Sequence, residues 1–153
     1  MKTMEGSKLP TVKIGKREIP LFYSTKEMID IQRDIGCTAY QLNEQVFGIH
    51  LEDEDDPSSV KFGVVEDMDK LEKLGTLIRI LGNAGLEECA MDADLTDKWV
   101  LRNIKPGMIM VYVIALVAVI SEGNKIEAAT PAEEQGPVDE GLEEENAKKQ
   151  PGN

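Results

Sequence analysis

Histidine and cysteine are scarce in this chain of 153 residues. His50 is the only histidine, and the two cysteines, Cys37 and Cys89, stand far apart with no CxxC pair. This composition excludes a metal site built from several histidines and a zinc site built from a Cys/His cluster. Two isolated cysteines are typical of reduced thiols in a cytoplasmic protein. The sequence alone leaves a disulfide between them open.

The usual motifs of catalysis are also missing. There is no glycine-rich phosphate loop followed by lysine and no G-x-S-x-G. A calcium loop starting at Asp53 would place Ser58 where glycine is required and Val64 where the closing glutamate is required. The carboxylates stand in charged runs, with no apolar pocket to raise a pKa for acid–base chemistry. We therefore predict no enzymatic activity, no cofactor and no bound metal.

Basic clusters are lacking, although the chain carries a formal charge of -12. The acids concentrate in the run "EDEDD" at Glu52–Asp56 and in residues 126–153, which hold eight acidic and two basic residues. The remaining chain is nearly neutral. Binding to nucleic acid needs clustered Lys and Arg against phosphate, so we predict no nucleic-acid partner. Acidic runs are usually solvated, but the pattern also allows an inhibitor or adaptor that binds a basic protein.

One long apolar run, "MIMVYVIALVAVI" at 108–120, interrupts this acidic chain. Its thirteen residues fall short of the roughly 20 that a membrane-spanning helix needs. No apolar stretch follows Lys2, so we expect no secretory signal peptide. We predict a soluble protein without a membrane partner, in which this run is a helix.

The first half of the chain predicts one hairpin and two short helices. Residues 1–10 lack periodicity and are predicted to be a flexible arm. Alternating apolar residues around Gly15 predict strands near 11–15 and 18–22. Capping boxes then predict helices at about 25–35 and 39–47, the first started by Ser24 with Glu27 and the second by Thr38 with Gln41. Residues 49–66 form an acidic loop in which a second short hairpin fits.

The second half predicts three further helices. The Leu-rich segment that begins near Met68 has a wide apolar stripe, and Gly75 and Gly82 on it favour the close approach of another helix or are tolerated weak positions. Thr96 caps a short helix, and Pro106 opens the last one, which ends at Gly123. The predicted core consists of Leu74, Leu77, Ile78, Leu81, Trp99, Ile114 and Val117.

The fold class predicted is thus mainly α. A small N-terminal hairpin precedes a compact bundle of about five helices in a single domain at 11–125. Residues 126–153 are rich in Glu, Ala, Pro and Gly and are predicted to be a disordered acidic tail, because such a segment buries too little apolar surface to offset its ordering entropy.

The order of these segments resembles that of tail assembly chaperones of long-tailed bacteriophages and prophages, of the type found with Gram-positive hosts. The likeness covers residues 11–123. It rests on layout, in the order "VKIGKREIPL", "STKEMIDIQRDIG", "LEKLGTLIRILGNAGL", "DLTD" and a final apolar helix ending in "SEG". The acidic insertion at 52–56 and the unbroken apolar last helix are less typical of that family.

The resemblance implies a non-catalytic chaperone of the host cytoplasm that is not part of the mature virion. Such a chaperone keeps the apolar, helical tape-measure protein soluble until tail-tube subunits polymerise around it. In the family, a longer form made by ribosomal frameshifting recruits the tail-tube protein. Lys148 and Lys149 are compatible with an A-rich slippery codon pair.

A helix that is apolar all round must be buried all round or expose an interaction surface. A chain of this size has few elements to cover the helix on every side. We therefore expect an uncovered strip that meets either the tape-measure protein or a second copy of the chain in a homo-oligomer. Met108, Val111 and Tyr112 are the predicted partner-binding residues, because Met adapts to varied partners and Tyr offers a large face with a polar tip.

Overall fold

The N-terminal hairpin is where the sequence predicts it. A computed structural model describes residues 9–126, and in it β1 (Thr11–Ile14) pairs antiparallel with β2 (Arg17–Pro20), with Val12 opposite Ile19. The turn between them needs a positive φ, +61°, at Gly15, which glycine adopts without strain. Alternation then places the apolar side chains of both strands on one buried face.

The first helix, α1 (Thr25–Ile35), begins and ends as predicted. The Glu27 carboxylate accepts a hydrogen bond from the backbone N–H of Ser24 at 2.9 Å. Gly36 follows in the left-handed conformation, with φ of +91°, and its N–H bonds back to the carbonyls of Ile31 and Gln32. These contacts satisfy backbone groups that the ends of a helix leave unpaired.

The second predicted helix, 39–47, is helical but irregular. A 3₁₀ turn at Ala39–Gln41 leads into a π-helical turn at Asn43–Phe47. The Gln41 side chain accepts a hydrogen bond from the backbone N–H of Thr38 at 2.9 Å, as a capping box requires. Tyr40 in the first of these turns is exposed. The wider π turn instead buries Val46 and Phe47.

The acidic loop contains a second hairpin, formed by β3 (Ile49–Leu51) and β4 (Val60–Phe62). Its exposed tip carries the acidic run, and the carboxylates there hydrogen-bond to their own turn. Asp53 accepts from the N–H of Asp55 and Asp56 from the N–H of Ser58, both at 3.0 Å. The hydrogen bonds from Ser58 lower the pKa of Asp56 below its usual value.

Helix α2 (Met68–Glu88) is the longest element and the centre of the core. The close approach of another helix is found at Gly75 but not at Gly82. A Cβ at Gly75 would lie 2.7 Å from the Leu101 side chain, on the helix α3 (Asp97–Asn103), whereas one at Gly82 would meet Leu95 and β2. The tightest approach occurs at Gly85, where a Cβ would overlap the carbonyl oxygen of Pro20.

A polar network fixes α3 against α2 and α1. Thr96 caps α3 by accepting a hydrogen bond from the N–H of Trp99 at 3.0 Å. In the first turn of α3, Asp97 accepts from the Thr76 hydroxyl at 2.6 Å and from the Arg79 guanidinium. Arg79 also reaches Asp34 on α1, 3.3 Å away. Thr76 is buried, so its pairing with Asp97 satisfies a hydroxyl that would otherwise be costly to desolvate.

The core prediction is correct for α2 and wrong near the last helix. Leu74, Leu77, Ile78 and Leu81 are buried, as predicted. Trp99 is only half-buried, and the guanidinium of Arg17 lies over its ring, 5.3 Å from the ring centroid. Val117 is also half-buried, and Ile114 is exposed, so its assignment to the core is wrong.

The architecture is therefore mainly α, with about five helical segments after a small hairpin. Up to Gly123 the described residues belong to one compact unit, and Asn124 begins a separate one. Cys37 and Cys89 are both buried free thiols. The predicted flexible arm at 1–10 and disordered tail at 126–153 fall almost wholly on residues 1–8 and 127–153, outside the described residues.

Candidate interaction surface on the last helix

The apolar run folds as a helix despite its β-branched residues. A 3₁₀ turn at Pro106–Met108 leads into α4 (Ile109–Gly123). Pro106 stands in the first turn, where its missing N–H removes no helical hydrogen bond. Residues 108–120 would make a strand far longer than the usual 3–10 residues, whereas helices of this length are common.

One side of α4 packs against the core. Its buried residues recur at three- and four-residue intervals, which is the period of one helix face. They are Ile109, Tyr112, Val113, Leu116 and Ile120. This face uses only five of the thirteen residues in the run. The helix therefore has a second apolar side that the described part of the chain does not cover.

The uncovered side is a continuous apolar surface, which we call the exposed strip. It consists of Met108, Val111, Ile114, Ala115 and Ala118. The exposed fractions of its three large side chains are 44% for Met108, 50% for Val111 and 60% for Ile114. Ala115 is half-buried and Ala118 is exposed. A cluster of this kind on one helix is typical of an interaction site, while single exposed apolar residues are not.

Of the three predicted partner-binding residues, two lie on this strip and one does not. Met108 and Val111 are exposed as the prediction requires, and their role in binding remains a prediction. Tyr112 is only 4% exposed, and its hydroxyl donates a hydrogen bond to the backbone carbonyl of Lys13 on β1. Its ring packs in the core, so the expectation that Tyr112 offers its face to a partner is wrong.

Sequence reasoning missed Ile114 and Ala118 as surface residues. A run with no polar residue except one tyrosine gives no contrast between faces, so periodicity alone cannot orient the helix. The signal that was present is the hydroxyl of Tyr112. A buried phenol needs a hydrogen-bond partner, and Tyr112 finds it in a neighbouring strand.

An apolar groove borders the C-terminal half of the strip. It encloses about 300 Å³ between α4 and the segment that follows β2. Its walls include Ala118 and Val119 on one side and Leu21, Phe22 and Tyr23 on the other. The groove and the strip share Ala118, so they form one continuous apolar surface.

A second hollow lies on the other flank of α4, against the second hairpin. It has a volume of about 390 Å³ and is lined by polar and apolar side chains, among them His50, Glu52, Lys61, Phe62 and Met110. His50 Nδ1 lies 2.9 Å from the carbonyl oxygen of Gly48, two residues earlier in the chain. Among residues 9–126 no group of three or more His, Cys, Asp or Glu side chains is placed to hold a metal ion.

Charge is almost absent along α4. Glu122 is the only charged residue within the helix, and Lys105 stands just before its first turn. Both residues are exposed. The strip is thus an uncharged surface with a cation at one end and an anion at the other, in a chain that is otherwise strongly acidic.

The helical segment is longer than the apolar run that predicted it. Pro106–Gly123 spans 18 residues with a mean hydropathy of 1.9, of which 28% are buried. By length and composition alone it reaches the lower limit for crossing a membrane, about 17 residues. The length of the thirteen-residue run therefore does not exclude a helix that crosses a membrane. The absence of a membrane partner remains a prediction.

Comparison of the chain with models of protein families, with curated proteins and with solved structures finds no match.

Proposed function

We propose that this protein is a non-catalytic tail assembly chaperone of a long-tailed phage or prophage. Its client is the tape-measure protein, which it keeps soluble in the host cytoplasm while the tail tube assembles. The protein itself is absent from the mature virion. The observation that carries the proposal is the exposed strip, an uncharged apolar helix face on a chain with a formal charge of -12.

The physical requirements of such a chaperone support this reading. A long apolar client helix aggregates through its apolar face, so the chaperone must offer an apolar face of its own. The complex must then stay dispersed, which a large net charge of one sign favours. Val111 and Ile114 supply the first property, and the acidic residues outside α4 supply the second.

The order of elements is consistent with the proposal. The hairpin, capped helix, Leu-rich helix and final apolar helix follow one another as in the layout that resembles tail assembly chaperones. A longer form produced by frameshifting would bring in the tail-tube protein, as the resemblance implies. The form described here would then hold the tape-measure protein without the tube.

Co-expression tests the proposal. The tape-measure protein of the same phage or prophage is produced alone and together with this chain, and its soluble fraction is compared after centrifugation. We expect the client to be soluble and to co-purify only when the chain is present. An equal soluble fraction in both cases, with no co-purification, would refute the proposed function.

A second candidate function rests on the acidic hairpin tip. Glu52–Asp56 is exposed, so the chain presents five consecutive acidic residues to any basic protein. An acidic inhibitor or adaptor would bind such a partner electrostatically and release it in high salt. Replacing the acids of Glu52–Asp56 by their amides, alone and together with deletion of residues 126–153, separates the two functions, because an electrostatic binder loses affinity and salt sensitivity while a chaperone retains its client.

A further inference from the structure

The spacing of the exposed strip points to a specific kind of partner. Met108, Val111, Ala115 and Ala118 of the strip, and Glu122 beyond it, follow one another at intervals of three, four, three and four residues, with Ile114 beside this seam. This is the repeat that lets two helices pack along a common seam in a left-handed coiled coil. We propose that the partner is a second copy of this chain, whose α4 packs antiparallel against the first.

Side-chain sizes favour the antiparallel direction. When the two-fold axis passes near residue 113, Met108 of each copy lies opposite Ala118 of the other, and Val111 lies opposite Ala115. Both large residues of this seam, Met108 and Val111, then face an alanine, so the two helices approach closely, while Ile114 lies at the edge of the seam. A parallel pair would set Met108 against Met108 and Ala118 against Ala118, which leaves both a clash and a void.

The groove beside α4 fits the same arrangement. Ala118 forms part of its wall, so Met108 of the second copy would lie at its mouth. A flexible thioether side chain suits an apolar groove of about 300 Å³, because methionine adapts to irregular spaces. The two-fold symmetry fills the groove of each copy with the methionine of the other.

The charges at the ends of the helix are self-complementary in this direction only. Lys105 lies one residue from the position opposite Glu122, so each end of the pair brings one cation near one anion. A parallel pair would bring Lys105 against Lys105 and Glu122 against Glu122. Exposed charges of this kind set orientation more than affinity.

The dimer does not depend on the proposed function. If the strip also binds a client, the second copy covers it until the client displaces that copy, and only this consequence rests on the chaperone proposal. A monomeric chain that still solubilises its client would contradict the dimer and leave the function intact. A dimeric chain that binds no client would contradict the proposed function and leave the dimer intact.

Cysteine cross-linking tests the pairing. Met108→Cys and Ala118→Cys are prepared separately, mixed, and oxidised, and the disulfides are identified by peptide mass. The mixture is expected to give a disulfide between position 108 of one chain and position 118 of the other. Met108→Cys alone should give little, because two copies of position 108 lie about ten residues, or about 15 Å, apart along the pair. Ile29→Cys, an exposed position on α1, serves as the control and should not cross-link.

Sedimentation equilibrium and a charge exchange complete the test. The unmodified chain should sediment as a dimer between about 10 and about 200 µM, the range that micromolar association requires. Lys105→Glu should raise the dissociation constant about fivefold, and adding Glu122→Lys in the same chain should restore it. A monomer throughout this range, or a disulfide between two copies of position 108 in place of the mixed one, would overturn the antiparallel dimer.

Discussion

The hydroxyl of Tyr112 donates a hydrogen bond to the backbone carbonyl of Lys13, which joins the last helix to the first strand across 99 residues of sequence. Together with the burial of Ile109, Val113, Leu116 and Ile120, this contact holds one side of α4 against the core. Because Tyr112 is buried, Val111 on the adjacent face is turned outward. The position of the exposed strip therefore depends on this one pairing as well as on the apolar contacts of α4.

Replacing Tyr112 by Phe tests the contact. The variant leaves the Lys13 carbonyl without its donor, so we expect the free energy of unfolding to fall by about 1 kcal/mol near neutral pH. Urea denaturation of the unmodified chain and of Tyr112→Phe at about pH 8 measures this difference in the free energy of unfolding. Tyr40→Phe, at an exposed position, is the control and should change nothing. Equal stability of Tyr112→Phe and the unmodified chain would show that the hydrogen bond does not orient the helix.

The same residue predicts an alkaline effect. Burial raises the pKa of Tyr112 above its ordinary value. As the pH rises, the phenol of Tyr112 therefore loses its proton at a lower pH in the unfolded chain than in the folded chain. The stability from the neutral phenol is fully present below about pH 10 and is lost as pH rises through the folded-state pKa. We expect the stability difference between the unmodified chain and Tyr112→Phe to shrink between about pH 8 and about pH 11. A constant difference would contradict this expectation.

Gly85→Ala should be the most damaging glycine substitution on α2. Its Cβ would overlap the carbonyl oxygen of Pro20, and backbone atoms cannot move aside as a side chain can. We expect a loss of more than about 3 kcal/mol, or failure to fold. Gly82→Ala, which meets the Leu95 side chain, should cost less. Gly107→Ala has no neighbour within 4 Å and is the matched control. Thermal unfolding ranks the three, and a Gly85→Ala variant as stable as the control would refute the close contact.

Two aliphatic truncations on α4 separate its buried and exposed faces. Leu116→Ala removes a fully buried side chain and should cost about 2–5 kcal/mol. Ile114→Ala removes a side chain that is 60% exposed and should change stability by less than about 0.5 kcal/mol. Urea denaturation of the isolated protein measures both. Similar costs for the two variants would mean that α4 is rotated from the orientation described here.

The sequence predicts the elements well where local signals are strong. Capping residues such as Ser24 and left-handed glycines such as Gly36 mark helix ends by backbone chemistry, independent of tertiary contacts. The irregular turn at 39–47 was harder, because the apolar spacing and capping box predict a helix but do not distinguish i→i+5 from i→i+4 hydrogen bonds. Gly85 shows the same limit, since the approach of Pro20 is a tertiary contact with no local signature.

The candidate surface was predictable only in part. An uninterrupted apolar run indicates that α4 needs more cover than a small domain provides, and this reasoning placed Met108 and Val111 correctly on the outside. It could not distinguish Tyr112 from Ile114, because both are large and apolar in body. Their burial is decided by neighbouring elements, above all by Lys13 on β1.

The most direct test of the central claim is co-purification of the tape-measure protein with Val111→Asp. Val111 is 50% exposed in the single chain, so an aspartate there stays in water and the chain still folds, while packing against a client would desolvate its charge. Ile29→Asp, at a 52% exposed position on α1, is the matched control. Circular dichroism confirms that both variants fold. The account predicts that Val111→Asp loses the client and Ile29→Asp retains it; a folded Val111→Asp that still holds the client in solution would contradict it.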